Sequence, residues 1–198
     1  MVVPTYDAHT ALIVTDVQND FADPKGSLYV QGGERVVANV NDEIDAALAA
    51  GATVVYTQDW HPSSTPHFEK DGGVWPVHCV GDTWGSELHP ALRVIDGAAF
   101  VKKGTQGEDG YSAFSVRDPE SGETHSTELG DVLARAGVER VVVVGLATDY
   151  CVKETVLDAR RRGLATQIPS DAVAAVNVEP GDGDKALEEM RAAGAALV

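Results

Sequence analysis

The stretch "VVVVGLATDYC", residues 141–151, runs four valines into a glycine and ends on one of the two cysteines in a chain of 198 residues. An unbroken apolar run of strand length, without polar alternation, reads as a parallel strand covered on both faces. The cysteine then stands a short turn beyond the strand's carboxyl end. In an open parallel sheet that edge is where ligands bind.

Similar runs occupy residues 11–15, 53–57, 98–102 and, more weakly, 165–169, with 195–198 as a last strand. Helical spacing fills the intervals: Val37, Val40, Ile44 and Leu48 within 34–50, then Leu129, Val132, Leu133 and Ala136 within 127–136. Two more helices are expected at 150–162, closed by Gly163, and at 183–193, with Leu187 and Met190 turned inward. Strand and helix in alternation predict an α/β fold, a single-domain open doubly wound parallel sheet with helices on both faces, spanning residues 1–198.

The composition is that of an ordinary globular chain, 43% apolar, and its formal net charge of −16 argues against a nucleic-acid or anionic membrane partner. The opening "MVVPTYDAHT" carries no basic stretch leading into an apolar run, and no segment has the length to span a bilayer, so a cytoplasmic location is expected. Self-association into a homo-oligomer stays open. Two cysteines make no disulfide framework, and in a reducing compartment each is a buried thiol, a ligand or a nucleophile.

The polar residues at the strand ends narrow that choice. Asp16 follows the first apolar run, Asp59 the second, Lys102 and Lys103 close the third, and Cys151 lies beyond the fourth. Four such groups at carboxyl ends converge on one crevice. Thr148 or Asp149 is a natural cap for the helix after the valine strand. The helix start and a nearby lysine are therefore expected to lower the Cys151 thiol pKa. Cys79 reads as a structural thiol.

Residues 59–92 fit neither period and are too long for an idle connection. They contain "QDWHPSSTPHFEKDGGVWPVHC", in which Asp59 and His61 are two apart and His67 and His78 follow. One carboxylate and three imidazoles suit one borderline divalent metal ion, zinc first, with iron or manganese as alternatives.

Together "TDVQNDF", "TQDWHP", "WPVHC", "KKG", "YSAF" and "VGLATDYCVKET" make the chain resemble the nicotinamidase branch of the isochorismatase-like cysteine hydrolases, from about Leu12 to Val198. The resemblance implies hydrolysis of nicotinamide, and of pyrazinamide, through a thioester. Cys151 would be its nucleophile, Asp16 its proton-transferring carboxylate and Lys103 the third member of a triad. It further implies Asp59, His61, His67 and His78 as metal ligands, and Phe21, Trp75 and Tyr111 as the aromatic wall of the substrate pocket. A cis peptide at Leu146–Ala147 would turn the Ala147 and Cys151 amides into an oxyanion hole. The chain departs from many relatives in having "ADPKG" at residues 22–26 in place of a Cys-Pro-Gly-Gly run, which removes no proposed catalytic group. Another cysteine hydrolase of the superfamily, acting on an N-carbamoyl compound, is the alternative; a non-catalytic ligand-binding protein is disfavoured by the intact Asp16, Lys103 and Cys151.

Overall fold

The computed structural model describes residues 4–198. Strand β1 (Thr10–Thr15) leads through the short helix α1 (Asn19–Ala22) to helix α2 (Gly33–Ala49) and strand β2 (Thr53–Asp59). An irregular segment follows, then strand β3 (Ala99–Lys103) and a small antiparallel hairpin of β4 (Ser115–Arg117) and β5 (Thr124–Ser126). Helix α3 (Leu129–Arg135), strand β6 (Arg140–Leu146), helix α4 (Lys153–Arg161) and strand β7 (Ala165–Ile168) come next. Strand β8 (Val173–Ala174), helix α5 (Asp182–Ala192) and strand β9 (Ala196–Leu197) complete the chain.

Among the described residues the central sheet has seven strands in the order β3-β2-β1-β6-β7-β9, with β8 pairing the end of β6, and every pair in it is parallel. The chain winds outward from β1 to β3, returns beside β1 as β6, and winds outward again the other way. The switch point therefore lies between β1 and β6, where a crevice opens beyond the carboxyl ends.

Side chains along β1 alternate between two cores. Leu12 and Val14 pack with Val36, Val37, Val40 and Ile44 of α2 on one face. Ala11 and Ile13 pack on the other with Leu129 and Leu133 of α3, Val156 and Ala159 of α4, and Met190 of α5. Each fully buried aliphatic side chain contributes about 1.5–3 kcal/mol, so the interior strands are held from both sides and their ends are rigid platforms. Leu48, expected on the inward stripe of α2, is exposed, and Ala47 takes the buried position one residue earlier.

The strands outrun their apolar segments. The β2–β3 register continues through Asp59↔Lys103, so both polar residues are part of the sheet's last rung. β1 instead stops at Thr15, and Asp16 turns away with a left-handed φ of 48°. Gly145, which closes the valine run, has φ +107°, and a Cβ there would lie 2.0 Å from the Thr15 carbonyl oxygen. A side chain at that position would separate β1 from β6 at the switch point.

The β4–β5 hairpin, α1 and β8 carry too few residues to display either period. The segment after β2 is folded loop: His61 pairs with Val80 and Phe68 with Trp75 as isolated bridges, and Phe68 is fully buried.

Candidate active site

Lys103, on the last residue of β3, is buried to 1% exposure. Its ammonium lies 2.9 Å from Asp16 Oδ2, pairs closely with Asp59 Oδ1, and approaches the Cys151 Sγ at 3.6 Å. Asp16, Asp59 and Cys151 each bring a side-chain atom to within 4.8 Å of the others. The other carboxylate oxygen of Asp16 accepts the Thr57 hydroxyl at 2.5 Å, and the Asp16 amide donates to the same hydroxyl oxygen.

A dry cluster of this kind shifts every member. Burial and the Asp59 charge push the Asp16 carboxyl up, outweighing Lys103 and Thr57. For Asp59, burial is overcome by Lys103 and the imidazoles of His61 and His78, which hold it down to about 2. The Lys103 ammonium, despite burial, is held charged by Asp16 and Asp59.

Cys151 differs from expectation in two respects. It lies in a wide turn, Thr148–Val152, that precedes α4, and neither Thr148 nor Asp149 caps that turn with its side chain. The Asp149 carboxylate accepts the amides of Val176 and Asn177 at 2.9 and 2.8 Å instead, tying in the chain beyond β8. The thiol is also shifted opposite to the expected direction: burial pushes it well above its usual value, with Asp16 and Asp59 adding to this and Lys103 opposing. The Leu146–Ala147 peptide is cis. Cys79 is fully buried, and its amide donates to Asp20 Oδ2 at 2.7 Å.

Beside this cluster His61, His67 and His78 bring one ring nitrogen each within 4.8 Å of one another. His67 Nδ1 donates to Asp109 Oδ1 at 3.0 Å and His78 Nδ1 to the Pro76 carbonyl at 2.7 Å, an assignment that leaves both Nε2 atoms as acceptors. His61 is buried, and neither of its ring nitrogens has a hydrogen-bond partner among the described residues. Burial holds the His61 imidazole down to about 4 and the His78 imidazole below its usual value, keeping both neutral. Asp59 Oδ2 lies 3.9 Å from His61 Nε2. Neutral imidazoles, a carboxylate and an orphaned buried donor atom are what a borderline divalent ion requires, so the residues present fit the metal.

A cleft opens onto both clusters, lined by Phe21, Trp75, Tyr111 and Tyr150 together with Cys151 and Ala147. Trp75 Nε1 donates to the Tyr111 hydroxyl at 3.0 Å, and Tyr150 sits edge-on to Trp75 with ring centroids 4.9 Å apart. Asp16, Asp59, Lys103 and Cys151, the three histidines and Phe21, Trp75 and Tyr111 are thus gathered at one edge of the sheet, whereas Lys102 is exposed with its ammonium over the Trp60 ring. Thr57, Gln18, Asp109 and Tyr150 were not anticipated. Tyr150 could have been, as the neighbour of Cys151 in the same turn; the other three act through contacts between distant segments and leave no local pattern.

An open sheet wound in this way, with a thiol, an amine and two carboxylates buried at the switch point, is the setting of an enzyme of the doubly wound parallel α/β class. The Isochorismatase domain matches residues 10–198, and the chain belongs to that family. It is 38% identical to the nicotinamidase of Escherichia coli (strain K12), over 94% of this chain and 93% of that one. Among solved structures it is similar to the pyrazinamidase of Pyrococcus horikoshii in complex with zinc, with TM-score 0.86, 37% identity, and coverage of 96% of this chain and 98% of that one. PnC1 from L. infantum in complex with nicotinate superposes with TM-score 0.87 at 36% identity, covering 100% of this chain and 96% of that one. The chain is an amidohydrolase. Among the described residues no helix is long and apolar enough to cross a membrane.

Proposed function

We propose that the chain hydrolyses nicotinamide to nicotinate and ammonia, and pyrazinamide likewise, through a thioester on Cys151. The observation that carries this reading is the approach of the Lys103 ammonium and two carboxylates to the Cys151 thiol at the foot of an aromatic cleft. The likeness to a nicotinamidase, to a zinc-containing pyrazinamidase and to a protein complexed with nicotinate supports the choice of substrate.

Phe21, Trp75 and Tyr111 line the cleft and give the pyridine ring aromatic surface to pack against, with the carboxamide at the polar end. Asp16 takes the proton from the Cys151 Sγ, which its raised proton affinity favours, and the Lys103 charge stabilises the thiolate as it forms. The thiolate attacks the carboxamide carbon. The amides of Ala147 and Cys151 hold the oxyanion. Asp16 returns the proton to the nitrogen, the carbon–nitrogen bond breaks and ammonia leaves, giving the thioester. A water then loses its proton to Asp16 and attacks the thioester carbon. Collapse releases nicotinate, and Cys151 regains its proton.

Asp59, His61, His67 and His78 would hold one divalent ion, zinc in this reading. When bound, it supplies a Lewis-acid site that takes the ring nitrogen and orients the carboxamide toward Cys151. The reaction feeds the salvage of NAD from its amide, in the cytoplasm.

The test is release of ammonia and nicotinate from nicotinamide by the zinc-loaded protein, followed by chromatography. Stoichiometric production by wild type and none by Cys151→Ala is expected. Absence of product from the wild type at saturating zinc refutes the proposal.

A further inference from the structure

β1 and β2 are paired from Ala11↔Thr53 to Val14↔Tyr56, after which β1 leaves the sheet at Asp16 while β2 continues to Asp59. Asp59 is held by β3 on one side. On the other side its amide and carbonyl face a gap in which no strand remains. A buried amide and carbonyl left without partners are destabilising, because each has given up its bond to water. Gln18 fills the gap. It is fully buried, and its carboxamide Oε1 accepts the Asp59 amide at 2.8 Å while Nε2 donates to the Asp59 carbonyl at 2.7 Å. The second Nε2 hydrogen goes to the Ser86 carbonyl at 2.8 Å. One side chain reproduces the two hydrogen bonds of the missing strand and anchors them to the loop beyond.

We infer that Gln18 is a positioning residue for the metal centre: by standing in for β1 it fixes the backbone of Asp59, and so the carboxylate that faces both Lys103 and His61. The inference rests on the proposed role of Asp59 as a metal ligand. Its chemistry is confined to hydrogen bonding, and Gln18 touches neither substrate nor metal. Gln58 is the natural comparison, because its Nε2 also donates to the Ser86 carbonyl, at 2.9 Å, without engaging the Asp59 backbone.

The test uses metal-free full-length protein and cobalt(II), whose visible absorption bands report ligand geometry, together with zinc affinity measured by competition with a chromophoric chelator. Gln18→Met has nearly the same shape and makes none of the three bonds. Gln18→Glu keeps the acceptor for the Asp59 amide but sets a carboxylate oxygen against two carbonyls. Both are expected to weaken zinc binding about 10- to 100-fold, the usual consequence of losing a partner that orients a ligand, and to shift the cobalt bands. Gln58→Met is expected to change both by less than about 3-fold. Wild-type affinity and spectrum in Gln18→Met, or an equal loss in Gln58→Met, overturns the inference. If Gln18→Met fails to fold by circular dichroism, the same criteria apply to Gln18→Glu. His61→Ala is measured in parallel: unchanged zinc affinity there locates the failure in the metal assignment itself, whereas a loss in His61→Ala with none in the Gln18 variants refutes the positioning role alone.

Discussion

The Lys103 ammonium stands 3.6 Å from the Cys151 Sγ while pairing with both Asp16 and Asp59. An ammonium has three N–H bonds, and these three neighbours use them all. The same cation therefore neutralises two buried carboxylates and opposes their effect on the thiol.

Lys103→Met removes that charge and leaves two carboxylates facing each other at the buried end of the sheet. The expected loss of stability is about 3–5 kcal/mol, the usual result of breaking a buried pair on one side, read by urea denaturation. Cys151 should also become unreactive toward iodoacetamide. Lys103→Arg should restore neither, because a planar fork cannot direct its donors to three converging partners. Wild-type alkylation in Lys103→Met would remove the lysine from thiol activation.

Cys151→Ala is expected to abolish amide hydrolysis with the fold intact. Cys79→Ala should retain most activity, since the Asp20 bond is made by the backbone amide and survives the substitution. Ammonia release and melting temperature are measured for both. Equal activity losses with equal melting temperatures contradict the assignment.

Gly97 and Gly104 both have φ of +78°, but a Cβ meets nothing within 4 Å at Gly97 and lies 2.6 Å from His61 Nδ1 at Gly104. Alanine at either position incurs the same left-handed penalty, about 1–2 kcal/mol. Only Gly104→Ala should displace His61 and weaken zinc binding, by about tenfold or more. Similar zinc affinities in the two variants would show that the imidazole has room to move.

Benzamide has the shape of nicotinamide without the ring nitrogen, whereas pyrazinamide keeps one at the equivalent position. In the proposed reaction kcat/KM should fall by about 10²-fold for benzamide, the scale of a misaligned reacting group, and remain near the nicotinamide value for pyrazinamide. His61→Ala should lower turnover of nicotinamide while leaving alkylation of Cys151 unchanged. Comparable rates on benzamide and nicotinamide would point to a broader amidase.

Asp158 on α4 accepts hydrogen bonds from Ser112, Ser115 and Arg161, which secures the loop carrying Tyr111. Burial pushes its carboxyl up, but the bonds from Ser112, Arg161 and Ser115 outweigh this and its pKa is lowered. With the folded value below the unfolded one, near 4, the carboxylate contributes stability above that pH, and the contribution is lost as pH falls through the folded pKa. Melting temperatures of wild type and Asp158→Asn should differ at pH 6 and converge toward pH 3. A difference independent of pH would exclude the mechanism.

The sequence alone determined the α/β class and the edge at which the chemistry gathers. Val141 to Val144, the first apolar run and their neighbours could be read because burial on both faces leaves no polar position to interrupt the run. Asp16, Lys103 and Cys151 could then be placed because a strand's end follows from where its apolar residues stop, and the histidines because so many in one irregular loop break the pattern around them. The tertiary structure alone decided what each group feels. The direction of the Cys151 shift is set by desolvation and by two carboxylates from distant segments, which together outweigh the lysine. Asp149 bonds the chain beyond β8 rather than the turn it begins, and Gln18 replaces a strand that has already left the sheet. Hydrogen bonds and electrostatic fields act across space between segments tens of residues apart. A residue's own neighbours in sequence carry no record of them.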